Sequence, residues 1–155
     1  MSTDTPSAAR RVAVLTFAVI SYVLALATFA YLIGFVTDLF VPRSVSRGAA
    51  LPWTLALPID LGLIALFGLQ HSGMARAGFK ARLRRLAPPA VHRSLFVLVT
   101  TAILWLFFVA WQPVPHALWD ASGSAAGHAL RAVELAGWVF TLIAVRLIDD
   151  MELFG

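Results

Sequence analysis

The feature that most constrains this chain is a stretch of 25 residues, 12–36, that carries no charged side chain. A helix needs about 20 apolar residues to cross the hydrocarbon core of a bilayer, so this stretch is long enough to span a membrane. Arg10 and Arg11 precede it, as in a signal peptide, but the apolar region of a signal peptide holds only roughly 7–15 residues. We therefore interpret residues 12–36 as a retained transmembrane helix.

Composition extends this interpretation to the whole chain. Of the 155 residues, 60% are hydrophobic and 13% are charged, whereas soluble domains are about half apolar and about a quarter charged. The sequence therefore predicts an all-α fold, a polytopic membrane helical bundle, with one transmembrane domain over residues 12–155 after an N-terminal tail, residues 1–11. We expect about four transmembrane helices, at residues 12–36, 54–73, 94–111 and 128–148.

The distribution of positive charge predicts the orientation of this bundle. Eight basic residues lie in the tail and in the connection 74–93, and that connection contains no acid. Cytoplasmic loops are rich in Lys and Arg, so we expect a multi-pass protein of the bacterial inner (cytoplasmic) membrane with both termini in the cytoplasm. The net charge of +4 does not indicate a nucleic-acid partner, because aromatic and basic side chains are not interleaved into a platform for bases.

The basic connection is also predicted to form a short interfacial helix over residues 75–86. Apolar side chains recur there at helical spacing among the cations, namely Phe79, Leu83 and Leu86. This pattern is typical of a helix that lies on a membrane surface in contact with lipids. Pro88 and Pro89 follow and would end the helix before the third span.

The second predicted span contains polar side chains that allow two interpretations. Gln70, His71 and Ser72 stand in a row at its end, and Asp60 lies eleven residues before His71, a spacing that returns close to the same helix face. One interpretation is the lining of a substrate cavity, with His71 as a general base, a proton shuttle or a haem ligand. The other is structural, with Asp60 in a helix–helix hydrogen bond and His71 satisfied by backbone.

The cations of the connection 74–93 are equally ambiguous. They either bind an anionic cofactor or lipid headgroups, or serve only to orient the protein in the membrane. Arg93 differs from the others because it begins the third span and can reach inward toward His71. The chain has no cysteine, no zinc-ligand spacing, and no P-loop, GxGxxG, HExxH or GxSxG motif. We therefore expect no metal site.

The order of residues carries a further indication. The stretch LFGLQHSGMARAGFKARLRRLAPPAVHRSLFVLVTTAILWLFFVAWQPVPHALWD, residues 66–120, resembles the methanethiol S-methyltransferase family of isoprenylcysteine carboxyl methyltransferase-like membrane proteins. The ending LIDDMELFG, residues 147–155, is also similar to that family, so the resemblance covers about residues 65–155. Its positions are Leu69, Gln70, His71, Ser72, Met74, Ala75, Arg76, Phe79, Lys80, Pro88, Pro89, Arg93, Ser94, Trp111, Gln112, Pro113 and Trp119.

The resemblance implies methyl transfer from S-adenosylmethionine to methanethiol, a small thiol substrate, with release of dimethyl sulfide. We take His71, Gln70 and Asp60 as candidate catalytic residues, with His71 accepting or relaying the thiol proton. Arg76 and Arg93 are the candidate cofactor-binding residues.

In families of this type the part that binds S-adenosylmethionine follows the LFG segment. We therefore expect an N-terminal half of such an enzyme that is inactive by itself. Within that ending, Asp150 stands where the resemblance predicts a histidine.

Two other hypotheses stay open on the sequence. A non-catalytic helical subunit would pack beside other membrane subunits in a larger complex, and the many Gly and Ala residues of the spans would serve close helix packing. A small transporter or a haem carrier is the third hypothesis.

Overall fold

The computed structural model of the protein describes residues 7–114 and 120–147, except for the side chains of residues 145 and 146. Trp119 and the ending 148–155, which includes Asp150, lie outside the described residues. Within them the chain is helical and contains no strand, so the predicted all-α fold is confirmed. The elements are α1 Ala8–Thr37, α2 Trp53–Ala75, α3 Ala77–Leu86, a 3-10 turn Pro89–Val91, α4 His92–Ala110 and α5 Ala125–Leu147.

Three of these segments are long and apolar enough to cross a membrane: Ala8–Thr37, Trp53–Ala75 and Pro89–Ala110. They match the first three predicted spans, with ends displaced by a few residues. The fourth predicted span, 128–148, is not confirmed as a membrane span, although α5 covers most of it. The charged side chains in the first half of α5, Arg131 and Glu134, shorten its uncharged length.

Helix α4 lies between α1 and α2 and packs on both of them, most extensively on α1. An aromatic cluster fills the contact between α1 and α4. Phe35 and Phe108 are almost fully buried, at 2% and 1% exposure, with ring centroids 5.1 Å apart. Tyr31 packs on Phe108 at 4.8 Å and on Trp105 at 5.1 Å. These rings form the core of the described bundle.

Two polar contacts tie α4 to the helices on either side. The Trp105 indole N–H donates to Thr28 Oγ1 of α1 at 3.0 Å. The Gln70 side-chain amide of α2 donates to Thr100 Oγ1 at 3.2 Å. Hydrogen bonds of this kind hold transmembrane helices together because the bilayer core offers no water to replace them.

Helix α1 ends where the chain reverses sharply into the connection that leads to α2. Asp38 adopts the left-handed conformation, with φ of 61°, and its N–H bonds to the carbonyl oxygen of Gly34. A Cβ atom on Gly34 would lie 2.6 Å from the carbonyl oxygen of Leu39 and 2.7 Å from Val41 Cγ1. Only glycine therefore fits at this helix end.

The connection 38–52 is held by the Asp38 carboxylate. The hydroxyls of Ser44 and Ser46 donate to its two oxygens, and Arg47 Nε lies 3.6 Å from Oδ1. Burial raises the pKa of Asp38, but the two hydroxyl donors and the charge of Arg47 outweigh this effect and lower the pKa below 3.8, its ordinary value. We call the region formed by residues 38–52 and 111–114 the loop end of the bundle.

The opposite end contains α3, which confirms a helix within the predicted range 75–86, whereas its position on a membrane surface stays a prediction. Helix α3 begins after Arg76, whose extended backbone separates it from α2, and it ends at Leu86, before Ala87 and Pro88. The start of α1 lies at the same end, since Arg10 and Arg11 share a groove with the segment 88–90. We call the region formed by residues 74–93 and the first turn of α1 the basic end.

Candidate functional site

The candidate site begins at Gln70, near the end of α2 that leads to the basic end. Its side-chain nitrogen contacts Thr100 Oγ1 of α4 at 3.2 Å and Met74 Sδ of its own helix at 3.1 Å. Gln70 is thus half-buried in the contact between α2 and α4. The amide fixes the two helices in register beside the neighbouring histidine.

His71 lies between two aromatic rings from different helices. Its ring stacks on Phe67 at 5.4 Å between centroids, with an angle of 22° between planes, and contacts Phe96 of α4 at 5.1 Å. The ring makes no hydrogen bond within the described residues, so neither nitrogen is engaged there. A histidine held by ring contacts with its nitrogens available is suited to proton transfer.

Asp60 does not join this site. Eleven residues of helix separate it from His71, a rise of about 16 Å at 1.5 Å per residue. Its carboxylate, 4% exposed, accepts a hydrogen bond from the backbone N–H of Gln112 at 2.9 Å, just beyond the end of α4. The structural interpretation expected a hydrogen bond between two helices, whereas the partner here is a backbone N–H in the segment that follows α4. A catalytic role for Asp60 stays a prediction.

A cavity of about 580 Å³ opens beside the site at the basic end. Volumes of about 300–1,000 Å³ are usual for small-molecule sites. The end of α2, one face of α3, the 3-10 turn and the start of α4 form its wall. Its lining residues are Met74, Ala75, Phe79, Lys80, Leu83, Arg84, Pro89, Ala90, His92, Arg93 and Phe96.

The cavity meets the candidate site through shared side chains. Phe96 lines the cavity and also contacts the His71 ring, and Met74 lines it and contacts the Gln70 amide. His71 and Gln70 are not themselves among the lining residues. The site and the cavity are therefore neighbours that share one wall.

The two predicted cofactor ligands occupy different positions. Arg93 lines the cavity from the first turn of α4, and its predicted reach toward His71 stays a prediction. Arg76 forms the extended junction between α2 and α3, with its N–H bonded to the carbonyl oxygen of Gly73 at 3.2 Å, and is not among the lining residues. A cofactor contact of either side chain stays a prediction.

Sequence reasoning missed several residues that shape this region. Thr100 and Phe96 belong to an apolar helix, and their contacts with Gln70 and His71 become visible only when α2 and α4 are paired. His92 received no role from the sequence, yet its Nε2 donates to the carbonyl oxygen of Ala87 at 2.7 Å and closes the turn before α4. A hydroxyl inside an otherwise apolar span was the one signal that could have pointed to Thr100.

The described residues do not make a complete site for S-adenosylmethionine. That molecule carries one carboxylate and two positive groups, an ammonium and a sulfonium. Arg93 suits the carboxylate, but within the described residues no acid lines the cavity to suit the positive groups or the ribose hydroxyls. Between Asp60 and Asp120 the sequence contains no acid at all. These residues fit only one end of the cofactor.

The fold and the site define a class: a membrane-embedded helical protein with a polar seam and a basic cavity at one end. Comparison with known proteins shows which members of this class the chain resembles. The chain is 38% identical to a methanethiol S-methyltransferase from Mycobacterium tuberculosis over 94% of its own length and 60% of that protein's. It is also 38% identical to a methanethiol S-methyltransferase from a Pseudomonas species, over 94% of this chain and 56% of the relative.

A more distant relative is nurim from Xenopus laevis, which is 32% identical over 63% of this chain and 36% of nurim. No protein-family model matches the chain, and no solved structure matches it significantly. The chain is therefore a homologue of proteins named methanethiol S-methyltransferase over almost its whole length. It spans little more than half the length of these two relatives. The alternative of a non-catalytic subunit finds no support among them.

Proposed function

We propose that the chain is the membrane part of an S-adenosylmethionine-dependent S-methyltransferase that converts methanethiol to dimethyl sulfide. The observation that carries the proposal is the 38% identity over 94% of the chain with relatives that bear the name methanethiol S-methyltransferase. The proposal places the protein in the bacterial inner membrane with its basic end and both termini on the cytoplasmic side, since Lys and Arg concentrate there.

The surroundings of His71 support an acceptor site for a small apolar thiol. The Phe67 and Phe96 rings provide an apolar contact surface at the level of the imidazole. Methanethiol partitions readily into a bilayer, so it reaches this level from the lipid. Gln70 supports the arrangement by fixing α2 against α4 at Thr100.

The proposed role of His71 is to accept the proton of the thiol. The S–H bond breaks, the proton moves to a ring nitrogen, and the sulfur becomes the thiolate that methyl transfer requires. His71 then passes the proton toward the basic end, where water and charged groups meet the membrane. Arg76 and Arg93 are proposed to meet the carboxylate of S-adenosylmethionine, the methyl donor that the family resemblance implies.

The test measures methyl transfer in membranes from bacteria that express the natural reading frame and otherwise lack the activity. S-adenosylmethionine with a deuterated methyl group and methanethiol are supplied, and dimethyl sulfide is analysed in the headspace by mass spectrometry. We expect dimethyl sulfide with three deuterium atoms. Absence of the labelled product, with the protein present and folded in the membrane, would contradict the proposal.

A matched pair of variants separates the role of His71 from folding. His71→Ala should lower the rate about 100-fold, the lower range for loss of a general base. His128→Ala makes the same change on α5, at an exposed position, and should leave the rate unchanged. Equal losses in both variants would show that the substitution acts through stability rather than through the thiol proton.

A further inference from the structure

Two cations of α3 line the cavity at the basic end. Lys80 and Arg84 lie one turn apart on that helix, and Arg93 lines the cavity from α4. Among the described residues, no acid lines the cavity. Like charges at this spacing on a helix repel each other, so an anion bound between α3 and α4 would relieve the repulsion. The charge of the cavity therefore selects an anionic ligand.

Apart from His92, the remaining wall of the same cavity is apolar. Phe79 and Leu83 lie one turn apart on α3, each directly before one of the cations, and Phe96 adds a ring from α4. A free inorganic anion would leave this wall without a partner. A ligand with a phosphate at one end and hydrocarbon at the other satisfies both halves. The lining thus matches an amphiphile, not a small ion.

We propose that this cavity is a binding site for the phosphate headgroup of an anionic phospholipid, held by Lys80 and Arg84. The acyl chains contact Phe79, Leu83 and Phe96 and continue into the surrounding bilayer. Basic pockets between membrane helices are known to bind anionic headgroups. The inference does not rest on the methyltransferase activity.

A second groove favours a lipid over a soluble phosphate. It borders the cavity across Pro89 and Ala90, which line both, and it is lined by Arg10, Arg11, Val14 and Leu15 of α1. Positive charge thus flanks the 3-10 turn on two sides, each next to apolar side chains. This arrangement suits the headgroup level of a membrane, where phosphates and hydrocarbon meet.

The experiment compares the purified protein in nanodiscs of three compositions. The first contains phosphatidylcholine alone, the second phosphatidylcholine with phosphatidylglycerol, and the third phosphatidylcholine with inorganic phosphate in the buffer. Thermal unfolding is followed by circular dichroism, and native mass spectrometry counts the lipids retained on ejection. We expect phosphatidylglycerol alone to raise the unfolding temperature and to stay bound at a fixed number per protein, because a ligand specific for the folded state stabilises it.

Two double variants of equal charge decide whether the cavity is responsible. Lys80→Gln with Arg84→Gln should weaken phosphatidylglycerol binding about 30-fold, since each cation near an anionic headgroup contributes roughly fivefold. Arg82→Gln with Arg85→Gln removes the same charge from α3 at positions that do not line the cavity, and should retain binding. Arg93 is left unchanged because it is also the proposed cofactor contact.

Several outcomes would overturn the inference. Equal loss in both double variants would mean that phosphatidylglycerol responds only to the overall charge of α3. An equal rise in unfolding temperature with inorganic phosphate would make a soluble phosphate the ligand. Equal unfolding temperatures and equal lipid retention of the unchanged protein with and without phosphatidylglycerol would show that the site does not exist, whatever the variants do.

Discussion

The two ends of this bundle use polar side chains in opposite ways. At the loop end, Asp38 binds Ser44, Ser46 and Arg47, and Asp60 binds the backbone of Gln112. At the basic end, cations line an open cavity, and the His71 ring makes no hydrogen bond within the described residues. Polar groups therefore hold the fold at one end and face prospective ligands at the other.

Connection geometry explains the difference. The loop end must bring the chain from α1 to α2 through residues 38–52 without a helix, so its backbone and side chains need partners from nearby segments. Arg43 donates to the carbonyl oxygen of Trp111 at 3.3 Å, and the Trp111 indole donates to the carbonyl oxygen of Val45 at 3.0 Å. The basic end instead contains α3, whose backbone is satisfied internally. Its side chains are thereby released from a structural role.

The largest effect on stability should come from the aromatic core near the loop end. Phe108→Ala removes a ring that is 1% exposed and should lower the free energy of unfolding by about 3 kcal/mol. This is the low end of the range for phenylalanine, because lipid replaces water as the alternative solvent. Phe96→Ala makes the same change on the same helix at the half-buried cavity wall and should cost less than half as much. Unfolding in mixed micelles, followed by circular dichroism, measures both.

The next largest effect should come from Asp60→Ala. This change should lower the free energy of unfolding by about 1–3 kcal/mol, because the N–H of Gln112 is left without its acceptor. Asp60→Asn keeps a side-chain oxygen at that position, so its free energy of unfolding should be close to that of the unchanged protein. The same unfolding measurement checks both variants. If Asp60→Asn folds normally yet loses methyl transfer, Asp60 has the catalytic role that the sequence predicted, and the contrast between the two ends is weaker than described.

Gln70→Leu should have a smaller effect, about 0.6 kcal/mol, the average for an interhelical hydrogen bond in a membrane protein. A double-mutant cycle with Thr100→Val isolates the energy of this contact. A coupling energy above about 2 kcal/mol would exceed the usual maximum of about 1.7 kcal/mol. In that case Gln70 would be as structural as the residues of the loop end.

The smallest effect should be a pH dependence of the connection 38–52. The pKa of Asp38 is lowered in the folded state, so its contribution is present above about pH 3.8 and disappears as pH falls through the folded value. The ion pair is partly exposed, so loss of amide protection at Val45 and Arg47 should be roughly twofold to fivefold. Hydrogen exchange between pH 5 and pH 2.5 measures it. Asp38→Asn should abolish the pH dependence, and an unaltered dependence would assign it to another group.

Sequence patterns predicted the helices well because an apolar run in a bilayer has only one way to satisfy its backbone. Pro88 and Pro89 also predicted where α3 ends, because proline interrupts a helix locally. Helix α4 ends at Ala110, one residue before Trp111, the predicted end of the third span. Gln112 precedes Pro113, which disfavours helix at that point.

The arrangement of the site was less accessible. Helical spacing put Asp60 and His71 near one face, but spacing along a helix does not say which element covers that face at each level. Asp60 meets the chain beyond α4, whereas His71 meets Phe96 at the opposite end of the same helix. The cavity was equally hidden, because it depends on how α3 folds back against the start of α4. Tertiary contacts of this kind produce no periodic pattern in the sequence.

The hydroxyl groups buried on α1 have a consequence for how the protein enters its membrane. Ser21, Thr28 and Thr37 each donate to the carbonyl oxygen four residues earlier, at 2.7 Å, so these groups are satisfied within the helix itself. Helix α1 can therefore leave the translocon alone as it is synthesised. Asp60 of α2 finds its partner only beyond α4, and the Gln70 amide finds its oxygen partner, Thr100, only in α4. We therefore expect α2 to partition into lipid together with α4 as a hairpin.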